Sequence, residues 1–258
     1  MINLPKITSS DIENLREKIA EYKSLDMHSA SEQEIFRHVV QICSRYVLSN
    51  VSISNRKLFR IRRASHLGEY LENEDDVWWP PSPQDGRVNR AGKPILYTSD
   101  SLETAINECG IAVGDAVNLI QYSVKQGESL IFADLTRDFD ELKLKDNLQC
   151  RYFKLVQRFI LSEITKDIFW VAKKNYLATQ VMSETFLDVP HGNGYMYPSV
   201  ARLHQGTNYA IKIEIAKSKI KFDCCCHMIY HGRENGGAVI YLHGKSSRVV
   251  DGRLVRDF

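Results

Sequence analysis

Apolar positions near the N-terminus recur with a period close to 3.6. Ser10 with Glu13 leads into Ile12, Leu15, Ile19 and Tyr22, and Ser31 with Glu34 leads into Ile35, Phe36, Val39, Val40, Cys43 and Val47. A hydroxyl followed three residues later by a carboxylate satisfies the free backbone N–H groups of a helix start. Both stretches are therefore expected as amphipathic helices. Neither carries recognisable chemistry, so residues 1–55 read as a helical extension that packs on the core or on a partner.

From Lys57 the period falls to two. Lys57–Arg62, Ile95–Thr98, Asn118–Val124 and Leu130–Ala133 are rich in β-branched and aromatic residues and are expected as strands. Residues 64–93 form a long connection containing Trp78-Trp79-Pro80-Pro81-Ser82-Pro83. A connection of that length inside a domain marks a functional segment, and leaving both tryptophans in water would be costly. Ser99–Gly110 reads as a short helix with Asp100 as N-cap and Gly110 as its stop. Leu102, Ala105, Ile106 and Cys109 line its buried stripe, and Glu108 falls at the edge, where a side chain looks into a cleft. Helices are expected at Lys145–Lys166 and Lys174–Leu187. Strands follow at Gly194–Ser199, Tyr209–Ile215, Lys219–Cys225 and Ala238–Leu242, with a turn over Gly232–Gly237. This order is that of an α+β chain with a mixed central sheet, without internal repeats or low-complexity segments.

Bulk properties narrow the picture. The 258 residues, 43% hydrophobic and 26% charged, describe an ordinary globular protein able to bury a sizeable core. A formal net charge of +2 gives no argument for nucleic acid, although Arg60, Arg62 and Arg63 form a local basic cluster suited to a phosphate. No apolar run approaches the roughly 20 residues of a membrane span, and the polar stretch from Met1 to Arg16 does not read as a signal peptide. Six cysteines without regular spacing suit a reducing compartment, and a cytoplasmic protein is expected. Cys224-Cys225-Cys226-His227, with His231 beyond, invites a metal reading. Consecutive strand residues point to opposite faces, however, and zinc sites use wider spacings. These are expected to be buried, inert thiols, with no metal ligands in the chain. Glycine-rich phosphate loops of the P-loop and Rossmann kinds are absent.

Between Gly86 and Glu108 the chain concentrates an arginine, an aromatic ring and a carboxylate. The segment reads G-R-x-N-x-x-G-x-P-x-L-Y-x-x-x-S-x-x-T-A-x-x-E and resembles the heart of the RES domain family, named for an Arg, a Glu and a Ser. Leu58-Phe59-Arg60-Ile61 resembles that family's opening strand. Tyr176-Leu177-Ala178-Thr179-Gln180 and Asn193-Gly194-Tyr195-Met196-Tyr197-Pro198-Ser199 resemble its downstream segment, and Pro80-Pro81 fits its longer members. The resemblance covers about residues 56–215. Two positions depart from the pattern: Val88, where a larger residue is common, and Asn193, where Asp is common.

The resemblance implies a fold similar to ADP-ribosyltransferases, with sheet portions flanking an NAD cleft, and an NAD-cleaving domain over residues 56–220. Residues 221–258 would then be a C-terminal strand-and-turn extension packed on the core. It implies cleavage of the nicotinamide–ribose bond of NAD⁺, by hydrolysis or phosphorolysis, in a growth-inhibiting toxin. NAD⁺ would be the substrate, with no resident cofactor and with an antitoxin or inhibitor protein as partner. Transfer of ADP-ribose to a protein, and an inert binding module of the same fold, are the alternatives. Arg60, Glu108 and Ser199 carry the family's named trio. A glutamate offsets the positive charge that grows on the ribose, chiefly in the transition state. No G-x-S-x-G elbow surrounds Ser199, so it reads as a positioning hydroxyl rather than a nucleophile. Arg87, on a loop, reads as a pyrophosphate clamp. Tyr97 stacks on nicotinamide or fills core, and Asn89, Gln180 and Tyr197 brace the site.

Overall fold

The computed structural model describes residues 5–78, 86, 88–137, 147–166, 176–187, 192–199, 201 and 205–257. The chain divides into two compact units interleaved in sequence. One comprises residues 1–50, 84–93 and 133–191, and the other residues 51–83, 94–132 and 192–258. Trp79, Pro80, Pro81, Ser82, Pro83 and Arg87 lie outside the described residues.

The first unit is helical. Helices α1 (Ser9–Lys23), α2 (Glu32–Cys43), α5 (Asn147–Ile164) and α6 (Tyr176–Met182) supply it, and a π-helical turn, Ser183–Leu187, prolongs α6. The start of α1 is set two residues earlier than Ser10 suggests. Thr8 is the N-cap, its Oγ1 accepting from Asp11 N while the Asp11 carboxylate accepts from Thr8 N. Ser31 caps α2 as expected, accepting from Glu34 N at 3.1 Å. Within this unit α1 packs on α2 and α5, and α2 on α6. Tyr22, fully buried, donates its hydroxyl to Glu163 Oε2 on α5 at 2.8 Å and meets the Phe159 ring edge-on. That bond and Lys166 together neutralise a glutamate that is only 3% exposed. A carboxylate so buried would be expensive without partners.

The second unit holds a ten-stranded sheet in the order β1-β5-β6-β7-β3-β2-β4-β8-β9-β10. Its strands are β1 (Ser49–Ile53), β2 (Lys57–Arg63), β3 (Ile95–Ser99), β4 (Ala116–Val124), β5 (Leu130–Asp134), β6 (Gly194–Pro198), β7 (Thr207–Lys212), β8 (Ile220–Glu234), β9 (Gly237–Val250) and β10 (Arg253–Asp257). With α3 (Glu74–Trp78), α4 (Leu102–Glu108) and α7 (Ile213–Lys219), the chain is an α+β protein. The strand expected to run to Ile215 ends at Lys212, where α7 begins. The predicted turn at 232–237 joins two strands far longer than expected. Among the described residues no helix is long and apolar enough to cross a membrane.

Strand alternation splits the core into two faces. Leu58, Ile120, Tyr122, Leu96, Tyr209 and Ile211 lie on one, covered by Val77 and Trp78 of α3. Ile61, Val117, Leu119 and Met228 lie on the other, covered by Ala105 and Ile106 of α4. The join between β2 and β3 is narrow, a single pairing of Phe59 with Ser99. At the far side of the sheet Tyr70 is wedged between the Arg256 guanidinium, 3.8 Å from its ring centre, and the His227 ring at 4.5 Å. Its ring fills a notch at Gly244, where an added Cβ would come within 2.7 Å. His227, 1% exposed, accepts from Gly68 N through Nε2 and pairs with Asn118 Oδ1 through Nδ1. One nitrogen must accept, so the ring is the neutral, Nδ1-protonated tautomer.

Candidate functional site

The site grows from the way α4 is anchored. Its N-cap is Ser101, which accepts from Thr104 N at 3.2 Å. Asp100, expected to be the cap, ties the helix to the sheet instead. Its Oδ1 accepts from the Thr104 hydroxyl at 2.8 Å and its Oδ2 from Thr207 N at 2.9 Å. Its own N–H donates to Thr207 O at 2.9 Å. Gly206 makes this approach possible: its φ is +120°, and a Cβ there would fall 2.4 Å from Thr104 Oγ1. Only glycine tolerates both conditions.

One helical turn beyond Thr104, α4 presents Glu108. Ser199 is fully buried at the end of β6, its N–H donating to Gly206 O at 2.9 Å, and its hydroxyl donates to Glu108 Oε1 at 2.6 Å. That is the length of a charge-assisted O–H···O⁻ bond. Glu108 itself is exposed, so one carboxylate oxygen is held by the protein while the group remains reachable. Ser199 thus orients a carboxylate.

Register places further polar groups on the same sheet face. Asn208 stands opposite Ser99 on β3 and Tyr197 on β6, and Tyr97 and Tyr195 both stand opposite Ala210. Asn208 is 4% exposed, and its Oδ1 accepts from the Ser99 hydroxyl at 2.8 Å while its Nδ2 finds no partner. A buried, unmet amide donor costs about 1–3 kcal/mol. Sequence reasoning missed it. The available signal was a polar residue at the inward position of an otherwise apolar strand, two residues past a glycine.

Arg60 is elsewhere. It shares the face of Leu58 and Tyr122, opposite the face that α4 covers. Its Nη1 donates to Trp78 O at 2.9 Å and Val77 O at 3.3 Å, and the neighbouring Arg62 donates to Asp76 O at 2.7 Å. Tyr122 shares the Val77 carbonyl and hydrogen-bonds with Arg60. Burial pushes the Tyr122 phenol up to about 12, so it stays a donor. The last carbonyls of a short helix are unmet acceptors at a negative dipole end, and two arginines of one strand face satisfy them. In this structure Arg60 grips the end of α3 through Nη1. The Trp78 ring packs on Tyr122 at 5.5 Å, and its Nε1 has no partner.

The motif halves at 86–94 and 176–180 meet within the helical unit. Gln180 Nε2 donates to Asn89 O at 2.9 Å and Gly86 O at 3.4 Å, Ser183 donates to Val88 O at 3.0 Å, and Gly86 N closes the turn on Asn89 O. Gln180 and Asn89 thus tie the turn closed by Gly86 and Asn89 to α6. Val88 is buried in this turn. Asn193, the other departure, accepts from Ile131 N through Oδ1 at 2.7 Å. An aspartate would make the same bond, so that departure alters only a strand junction.

The sequence model of the RES domain matches residues 57–221. No curated protein and no solved structure matches the chain.

Proposed function

Because the chain belongs to the RES domain family, we propose that it cleaves the nicotinamide–ribose bond of NAD⁺. The observation that carries this reading is the Ser199–Glu108 bond, which joins two of the family's namesake residues over 91 positions of chain. When the bond to nicotinamide breaks, its electron pair leaves with the neutral base and the ribose becomes cationic at its anomeric carbon. A carboxylate held in place beforehand stabilises that charge without having to reorganise. Ser199 occupies one oxygen of Glu108 and leaves the other for the sugar. Asn208, Tyr97 and Tyr197 line the same sheet face, where an amide donor and flat rings suit ribose hydroxyls and nicotinamide. Arg87 takes the pyrophosphate by resemblance, and Arg60 acts through α3, from which residues 79–93 continue. NAD⁺ is the substrate and the reading requires no resident cofactor.

Unchecked loss of NAD⁺ halts growth, so the reading extends to a toxin restrained by an inhibitor protein. Incubating the purified chain with NAD⁺, with and without inorganic phosphate, tests it directly. ADP-ribose identifies hydrolysis, a phosphorylated ADP-ribose identifies phosphorolysis, and label retained on protein identifies transfer. Nicotinamide release no faster than in buffer overturns the reading.

A further inference from the structure

The three consecutive cysteines of β8 do not behave alike. Cys225 is buried with Leu58 and Tyr122 on one face. Alternation sends Cys224 and Cys226 to the other, where both are half-buried and their Sγ atoms lie 3.9 Å apart in a thiol–thiol hydrogen bond. The register against β4 slips at this point, making Asp223 an extra residue. Its carboxylate is occupied by Gln121 and Ser123. Lys245 stands opposite Cys226 on β9. The Cys226 thiol, with Lys245 and Lys57, favours the thiolate form of Cys224 against burial and Asp223, while that same hydrogen bond and burial hold the proton on Cys226 until an ion displaces it. Among the described residues no group of three or more His, Cys, Asp or Glu is arranged to hold a metal ion. A tetrahedral zinc site, which needs four ligands, therefore has no basis here. Two thiolates alone are a ligand set for a soft ion.

We propose that Cys224 and Cys226 form a two-sulfur clip for one soft monovalent cation of the copper(I) class. Two S–H protons leave, two metal–sulfur bonds form and the oxidation state is unchanged. The resulting centre carries one negative charge, which Lys57 and Lys245 offset. Two metal–thiolate bonds of about 2.3 Å span at most about 4.6 Å, so the existing separation suits a bent arrangement reached by small side-chain rotations. The clip is independent of NAD⁺ cleavage.

Copper(I), supplied without oxygen as a complex with a chromophoric chelator, is the probe. The wild-type protein should withdraw one equivalent and Cys150→Ser should do the same. Cys224→Ser and Cys226→Ser should each weaken the transfer at least about tenfold, a difference read directly from the competition. Copper-edge X-ray absorption on the wild-type protein should show a first shell of two sulfurs, a measurement that does not depend on any variant folding. No copper withdrawn by the wild type, an undiminished equivalent in the Cys224→Ser/Cys226→Ser double variant, or a nitrogen and oxygen shell overturns the clip.

Discussion

The hydroxyl of Ser199 lies 2.6 Å from Oε1 of Glu108 and donates to it, so the serine holds the glutamate rather than being activated by it. That bond biases the orientation of the carboxylate. Its partner is buried at a strand end, while the helix bearing it is pinned through Asp100 and Thr104.

That relationship separates two phenotypes. Glu108→Gln removes the charge and should lower the turnover of nicotinamide release by about 10²-fold or more while KM for NAD⁺ changes little. Ser199→Ala leaves the charge but frees its orientation and should fall between wild type and Glu108→Gln. In a bacterium, expression of the wild-type chain should arrest growth and Glu108→Gln should not. Steady-state kinetics with both variants would contradict the assignment if Ser199→Ala were the more damaging.

Asn208 offers a test in which stability and activity move apart. Replacing the amide by Leu removes an unmet donor, so the urea midpoint should hold or rise even though Ser99 loses its acceptor. Nicotinamide release should drop roughly tenfold or more, with KM for NAD⁺ taking the larger share. Unchanged kinetics in a stably folded Asn208→Leu protein would remove the amide from the site.

Arg60→Met should destabilise the fold by about 1–3 kcal/mol, because the Trp78 carbonyl loses its side-chain donor and the Val77 carbonyl one of its two in a half-buried setting. Tyr122→Phe should cost less. The double variant should lose more than the two losses added together, since only then is the Val77 carbonyl left without either side-chain donor. Additive losses in urea unfolding would mean that the two contacts act separately.

Acid should loosen the sheet side through His227. Burial first, then the nearby His243 and Arg256, hold its imidazole below the ordinary value, against the opposing pull of Glu69. In the unfolded chain it titrates near about 6.5. As pH falls through that value the unfolded chain takes up a proton that the folded one refuses, so stability is full above it and lost below. Urea midpoints at pH 7.5 and about 5.5 should differ more for the wild type than for His227→Asn, and equal differences would clear His227 of the effect.

The pairing of Glu108 with Ser199 was foreshadowed because a short helix and a short strand each end on a motif residue. Gln180 and Asn89 stood out for a similar reason, since both belong to motif segments. The contact of Arg60 with α3 was not legible, because alternation identifies which residues share a face but not what covers that face, and α3 lies inside a connection rich in acidic residues. Asp100 and Ser101 are both good caps, and only the position of Thr207 decides between them. The β8–β9 hairpin outruns its expected strands because residues 243–250 of β9 are mostly small or polar and show no alternation of apolar and polar positions. Asn208 needed knowledge of which donors already had acceptors, and no linear pattern carries that.

The notch at Gly244 has an evolutionary consequence. Its missing Cβ is occupied by the ring of Tyr70, a residue far away in the chain that also touches Arg256 and His227. A scan of single substitutions would score position 244 as intolerant, although its backbone is not in the left-handed region that demands glycine. The intolerance belongs to the pair. With a smaller side chain at 70, alanine at 244 becomes acceptable, and with tyrosine restored it does not. Lineages that drift at one of these positions are thereby committed at the other, and the order in which the two changes arise decides whether the path between them is open.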